Sequence, residues 1–414
     1  MDSQLNAAAL ALSRGDALSA LKRVALREDP GALALRGIAF AQLGELARAR
    51  DLLRRAGRGF GPREPKARAR CLLAAAEVAL AARDLGTSGK LERDLTRARR
   101  ALEQQGDLAN AAHAYSVEAR HSLLIGQIPA AERALDALDV LLRKLPHKLP
   151  MLEAIAALLR AQVAVRTLRC RAARLALDRA ALAAHESRIA ALAAEIETVR
   201  AALQVPAARI VLANGTEPLV LEQVETLLLS SALIVDACAR VIRHREIVIS
   251  LQRRPVLFAL ARLLAEAWPA DVPRDQLVSG AFGIRFGNDS HRARLRVEIG
   301  RLRRALEGVA TLRATNAGFR LEPSRAERVA VLAPPFDHEH AALLALLADG
   351  QAWSSSALAL ALGASQRTVQ RALLELERTR ATRSFGRGRA RRWLIPPLSG
   401  ITTTLLLPSP LGHG

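Results

Sequence analysis

Aromatic residues are scarce: Phe, Trp and Tyr make up 3% of the 414 residues. Readers of RNA and of single strands depend on stacked rings, so this composition counts against them. Cysteine is scarcer still. Cys71, Cys170 and Cys238 stand alone with no CxxC pair, which supports neither a zinc ribbon nor a disulfide framework and predicts buried thiols in a reducing compartment. No run approaches 18 uninterrupted apolar residues, so no membrane span is expected. The opening MDSQLNAAALALSRGDA lacks the basic start and long apolar core of a secretory leader, which points to the cytoplasm.

Catalytic signatures are missing as well. There is no GxxxxGK[ST], no GxSxG and no HExxH, so the expectation is no enzyme and no cofactor. Asp337-His338-Glu339-His340 has metal-ligating residue types, but an HxH on a loop before a helix reads as solvated, and no metal is expected. His113 and His121, eight apart on one helix face, read as ordinary surface or groove residues.

Positive charge is abundant. The chain carries 61 Lys+Arg against 40 Asp+Glu, a net +21, and only five of the basic residues are Lys. An arginine-rich coding bias accounts for part of this, but the balance favours a polyanionic partner, nucleic acid or an anionic membrane surface. The charge is concentrated in DSHRARLRVEIGRLRRAL, residues 289–306, which reads as a helix with Asp289 or Ser290 as its cap. Leu295, Ile299, Leu302 and Leu306 share one face. Arg294, Val297, Arg301 and Arg304 fall on the other, and Glu298 is the only acid inside the run. A face so cationic suits duplex DNA.

Residues 1–205 are rich in Ala and Leu at helical spacing. Gly37, Phe40, Ala49, Leu53 and Ala56, with Gly44-Glu45 between them, have the offsets of small and large packing positions in a helix-turn-helix unit. This stretch resembles a tetratricopeptide repeat, with degenerate copies around Ala8, Gly15, Ala20 and Val24 and around Ala119, Gly126, Ala131 and Leu135. A generic helical bundle is the plainer alternative. Either would offer a surface for a protein or ligand rather than for chemistry. Two longer helices are expected from Met151 to Leu203, the second from about Arg171, and Pro206 ends the segment.

After Pro206 the period changes. RIVLA, Asn214-Gly215 and PLVLE read as a hairpin, and LLLSSALIVDA, RVIR and EIVIS as further strands. Helices follow at about Pro255–Ala267 and Arg274–Gly280, then the cationic helix, then a hairpin of TLRAT, Asn316-Ala317-Gly318 and FRLEP. With EIVISLQRRPVLFALARLLAEA, EIGRLRRALEG and ATNAGFRL as its most specific parts, the stretch 206–323 resembles the OmpR/PhoB-type winged helix. That resemblance implies a third helix in the major groove and a wing on the backbone or minor groove. Arg294, Arg301 and Arg304 would then meet bases or phosphates, and Arg313 and Arg320 would serve from the wing. The wing tip departs from the pattern, with Asn316-Ala317 where Arg-Gly is usual, and the helical N-terminal half leaves no place for a receiver domain.

Residues 324–336 read as a linker. Beyond it, a helix of about 339–348, SSSALALALG capped by Ser354 or Ser355 and closed by Gly363, and ASQRTVQRALLELERTR capped by Ser365 follow a helix-turn-helix plan. Arg367, Gln370 and Arg371 lie in the first turns of the last helix, where base edges are read. A hairpin turning at Gly386 and Gly388 carries Arg383, Arg387 and Arg389 within a run, 378–392, of seven arginines and no acid. The plan is similar to MarR- and GntR-like winged helices.

The fold expected is therefore mainly α: a tetratricopeptide-like helical repeat domain (1–205) followed by two winged-helix (α+β) domains (206–323 and 337–397), with a tail at 398–414. The function expected is that of a cytoplasmic, nucleoid-associated, sequence-specific transcription regulator. Its partners would be double-stranded DNA and, on the repeats, a protein, peptide or RNA polymerase; a homodimer is among the open oligomeric states. The alternative is an adaptor whose repeats bind a protein and whose basic domains touch nucleic acid nonspecifically or make protein contacts.

Overall fold

The computed structural model describes residues 3–13, 15–82, 89–187, 189–212, 215–283, 289–326, 328–334, 341–347, 353–362, 364–378, 381–386, 388 and 391–394. The protein is mainly helical, with a small mixed sheet in its second half. Among the described residues no helix is long and apolar enough to cross a membrane.

The first half is a succession of helices: α1 (Ser3–Ser13), α2 (Ala17–Val24), α3 (Pro30–Gln42), α4 (Leu46–Gly59), α5 (Pro65–Ala81), α6 (Lys90–Gln104), α7 (Leu108–Leu124), α8 (Ile128–Lys144), α9 (Pro150–Arg166), α10 (Cys170–Ser187) and α11 (Ala190–Ala202). Local chemistry sets the starts. Pro30, Pro65 and Pro150 open their helices, and Asp29 accepts a 3.1 Å hydrogen bond from the Ala32 amide. Gly15, Gly44 and Gly126 end α1, α3 and α7 in the left-handed conformation, so each next helix folds back as a hairpin. Small residues set the approach: a Cβ on Gly37 would stand 2.8 Å from Leu53 Cγ.

Two expectations fail in this half. Residues 151–203 form three helices rather than two, because Ile189 is extended and α11 folds onto α10, burying Leu192, Ile196, Val199 and Leu203. His113 and His121 are buried, not surface residues. His113 Nε2 lies 2.9 Å from Glu77 Oε2 on α5, one of several polar contacts inside the array. Arg70 with Asp107 and Arg120 with Glu195 are others. Burial makes tolerable only charges that are paired in this way.

The second half begins with β1 (Pro206–Leu212), β2 (Gly215–Val220), α12 (Leu221–Leu229), β3 (Leu233–Asp236), β4 (Val241–His244) and β5 (Ile247–Ser250). Next come α13 (Pro255–Glu266), β6 (Val272–Pro273), α14 (Arg274–Phe282), α15 (Asp289–Ala305), β7 (Ala310–Ala314), β8 (Gly318–Pro323) and β9 (Val329–Ala333). The large sheet runs β2-β1-β9-β3-β4-β5, and a small sheet runs β6-β8-β7. LLLSSALIVDA is not all strand. Leu221, Val224 and Leu227 bury at helical spacing, the Gln223 side chain accepts from the Val220 amide at 2.9 Å, and only Leu233–Asp236 is extended. The expected linker at 324–336 also contains a strand. β9 pairs antiparallel with β1 and parallel with β3, and all five of its residues are buried. A strand covered on both faces reads as a continuous apolar run, as VAVLA does.

The cationic helix forms as expected. Leu295, Ile299, Leu302 and Leu306 are buried against α13 and the small sheet, each contributing about 2 kcal/mol of apolar burial. The last unit comprises α16 (Ala341–Leu347), α17 (Ser355–Leu362), α18 (Gln366–Arg378), β10 (Arg383–Phe385) and β11 (Arg392–Leu394) around a core that includes Leu347, Leu358, Leu373 and Trp393. Ser354 caps α17 and Ser365 caps α18, accepting from Ala357 N and Thr368 N at 3.1 Å. Arg240 reaches across to donate to the Ala361 carbonyl at the end of α17. Asn214, the Asp337–His340 run, Gly363 and the tail 398–414 lie outside the described residues.

Two measurements check this packing. A Cβ on Gly318 would fall 1.8 Å from the Val272 carbonyl oxygen across the β6–β8 pair, so Gly318→Ala should cost about 3 kcal/mol in urea unfolding. Gly300→Ala, which meets nothing within 4 Å in mid-helix, should instead gain about 0.5–1 kcal/mol. The second concerns pH. Burial lowers the His121 pKa below 6.5, opposed by Glu92. The unfolded chain therefore takes up this proton first, and the stability present above pH 6.5 is lost as pH falls through the folded value. His121→Leu should flatten the decline of the urea midpoint between pH 7 and pH 5.

Candidate nucleic-acid interface

The solvent side of α15 holds Ser290, Arg294, Val297, Arg301 and Arg304 in one column, with Arg296 on its flank, all exposed. Their partners differ. Arg294 lies over the Phe282 ring at 4.6 Å. Arg301 Nη1 donates to Glu298 at 2.8 Å, one helical turn away. Arg301 is itself exposed in this pair, whereas the Glu298 side chain is only 12% exposed. Arg304 has no hydrogen bond or ion pair among the described residues.

Arg254 was missed in the sequence. It precedes Pro255 at the start of α13 and, with Val256, Leu257, Glu298, Arg301 and Arg304, lines a cleft of about 580 Å³. The cleft joins three guanidinium groups, one of them paired with Glu298, to the positive end of α13, and its net positive charge favours an anion. The signal was legible as Arg253-Arg254 directly before a helix-opening proline.

The β7–β8 hairpin stands beside α15, tied to it by Arg303, whose Nε donates to the Leu312 carbonyl at 2.9 Å. Its own arginines are engaged. Arg313 lies 3.6 Å from Glu322, and Arg320 pairs with Asp271 at 2.6 Å. The Thr315 hydroxyl and the Arg320 guanidinium hold the Asp271 carboxyl below its ordinary range, so this pair persists in weakly acidic solution. Arg274 fixes the hairpin tip, donating to the Thr315 and Asn316 carbonyls at 2.9 Å each.

In the last unit Arg367, Gln370 and Arg371 are exposed on the first turns of α18, opposite buried Val369, Ala372 and Leu373. Gln370 Nε2 lies 3.4 Å from Ser355 Oγ on α17, a long contact that leaves the amide available. Arg383 is half-buried on β10, whereas Arg387 and Arg389 lie outside the described residues. The basic run is not uniformly open: Arg391 stacks on Trp393 at 4.3 Å and pairs with Glu377 at 3.1 Å. The structure thus gathers Arg294, Arg301 and Arg304 with Arg254 on one face, and Arg367, Gln370 and Arg371 on a second.

Burial pushes the Cys71 and Cys238 thiols up to about 12, far from thiolate reactivity at neutral pH. Among the described residues no three His, Cys, Asp or Glu side chains cluster as metal ligands. No protein family, no curated protein and no solved structure matches the chain.

If the Arg274 clamp orders the hairpin, Arg274→Ala should lower stability by about 1–3 kcal/mol and open the tip near Asn316 to limited proteolysis.

Proposed function

We propose that the protein is a sequence-specific, DNA-binding transcription regulator. In this reading residues 206–323 are an OmpR/PhoB-type winged helix with α15 as its recognition helix and β7–β8 as its wing. The unit from α16 to β11 is a second winged helix reading through α18, and the N-terminal helix pairs are tetratricopeptide-like repeats that bind a protein or ligand. The observation that carries the proposal is the exposed column Arg294, Arg301 and Arg304, backed by a buried apolar face and joined by Arg254 at a helix start. The arginines of α15 and α13 would engage phosphates and set position, while Arg367, Gln370 and Arg371 offer the side chains suited to guanine and adenine edges. Two linked readers gain from effective concentration, so each can bind weakly alone. The protein would act in the cytoplasm, at the nucleoid, on double-stranded DNA and without a cofactor.

A second reading is an adaptor that holds nucleic acid without sequence preference. The ion pairs of Arg301, Arg313 and Arg320 favour it, since side chains already engaged within the protein are less free to read bases.

Selection by the full chain from a random genomic fragment pool separates the two. A regulator enriches one or a few sequences; Arg371→Ala relaxes preference at one position by about 1–3 kcal/mol, and Arg304→Ala weakens all sequences alike and lowers the salt slope by about one. A steep salt slope with no enriched sequence would establish the adaptor instead.

A further inference from the structure

A second cavity, in the helical array, shares no residue with the arginine faces just considered. It is a groove of about 620 Å³ with α5 as its floor and α4 and α6 as its banks. The floor is apolar: Leu72, Ala75 and Ala79 of α5 are part-exposed there, backed by buried Leu53, Ala76, Leu91 and Ala98, and Gly57 deepens it by presenting no side chain. The banks are cationic. Arg50, Arg54 and Arg58 follow one another at four-residue spacing along α4, a row of about 12 Å. Lys90 and Arg97 stand on α6 about 10 Å apart, and Arg68 closes one end. Among the described lining residues Asp94 is the only acid. The guanidinium groups of Arg58, Arg68 and Arg97 make no hydrogen bond or ion pair with a described residue, and Arg54 has only an exposed pair with Asp51 at 3.2 Å.

This pattern selects among anionic ligands. A fatty acid brings one charge and a tail that wants an enclosed tunnel, whereas here cations run along both sides of an open trough. A nucleic-acid backbone would use the cations but leave the leucine floor bare. A helix with an apolar stripe and acidic residues on both flanks matches floor and banks together. We propose that this groove receives an acidic amphipathic helix of a partner protein. The proposal gives a chemistry to the partner-binding role assigned above to the helical array, but it is measured without DNA, so failure of one reading leaves the other standing.

The test uses the full chain and a fluorescein-labelled synthetic helix of about four turns, with leucines at alternating three- and four-residue spacing and glutamates on both flanks. Its counterpart has every Glu replaced by Lys. Anisotropy should show binding of the acidic peptide only, weakened by added salt. R54E, R58E and R97E combined should weaken it by at least about tenfold. Gly57→Met keeps the fold, since a Cβ there meets only Cys71 Cβ at an ordinary 3.6 Å. By filling the floor it should weaken binding about fivefold with the salt response unchanged. R301A with R304A, on the separate face, should leave peptide binding as it was. Binding indifferent to the groove substitutions, binding lost with R301A and R304A, equal binding of the lysine peptide, or displacement by stoichiometric dodecanoate would each overturn the proposal.

Discussion

The unit from β1 to β9 is held together by its last strand. β9 lies between β1 and β3, and its side chains alternate between two cores. Val329 and Val331 face the core of α13 and α15, while Ala330 and Leu332 face the core beneath α12. Without β9 the hairpin 206–220 would share no ladder with β3, and the core beneath α12 would lose Ala330 and Leu332. The position of the cationic helix therefore depends on a strand that carries no charge.

Arginine does two kinds of work in this chain, and the structure sorts them. Arg274 and Arg303 donate to backbone carbonyls of the β7–β8 hairpin, and Arg320 is tied to Asp271. These guanidinium groups shape the surface. Arg254, Arg304, Arg367 and Arg371 stand exposed on it, where their charge is directed outward. The fixed set orders the β7–β8 hairpin beside α15, the helix that carries Arg304, so that part of this surface is arranged by folding rather than at the moment of binding. The same division holds in the helical array, where Arg70 and Arg120 are buried with carboxylates while Arg58 and Arg97 border open space.

What the sequence made legible follows from how local each signal is. The two faces of α15, the hairpins and the serine caps of α17 and α18 depend on residues within a turn or two of one another, and periodicity and capping rules read them directly. LEQVETLLL carries local helical signals, with Leu221, Val224 and Leu227 at helical spacing and the Gln223 cap, but the apolar run LLLSSALIVDA joins its last turn to β3 without a break and so passes for one strand. VAVLA looked like connection because both of its strand partners lie elsewhere in the chain. The partners of His113 and Arg320 are equally remote in sequence, which is why burial of the first and engagement of the second were hidden. Of the candidate interface, the α15 column and the α18 triplet were visible from spacing, whereas the cleft at Arg254 needed α13 and α15 side by side.

The placement of β9 also fixes an order of events during synthesis. Arg209 is paired with Ala333, so the first strand of the unit emerges from the ribosome long before the strand that anchors it. Until then β1 and β2 can exist only as a lone hairpin, which is marginal in water. A unit closed by so distant a contact folds slowly and after its whole length is made. A message truncated between codons 221 and 328 would thus yield an apolar, unclosed sheet edge, a substrate for chaperones and proteases rather than a working second unit.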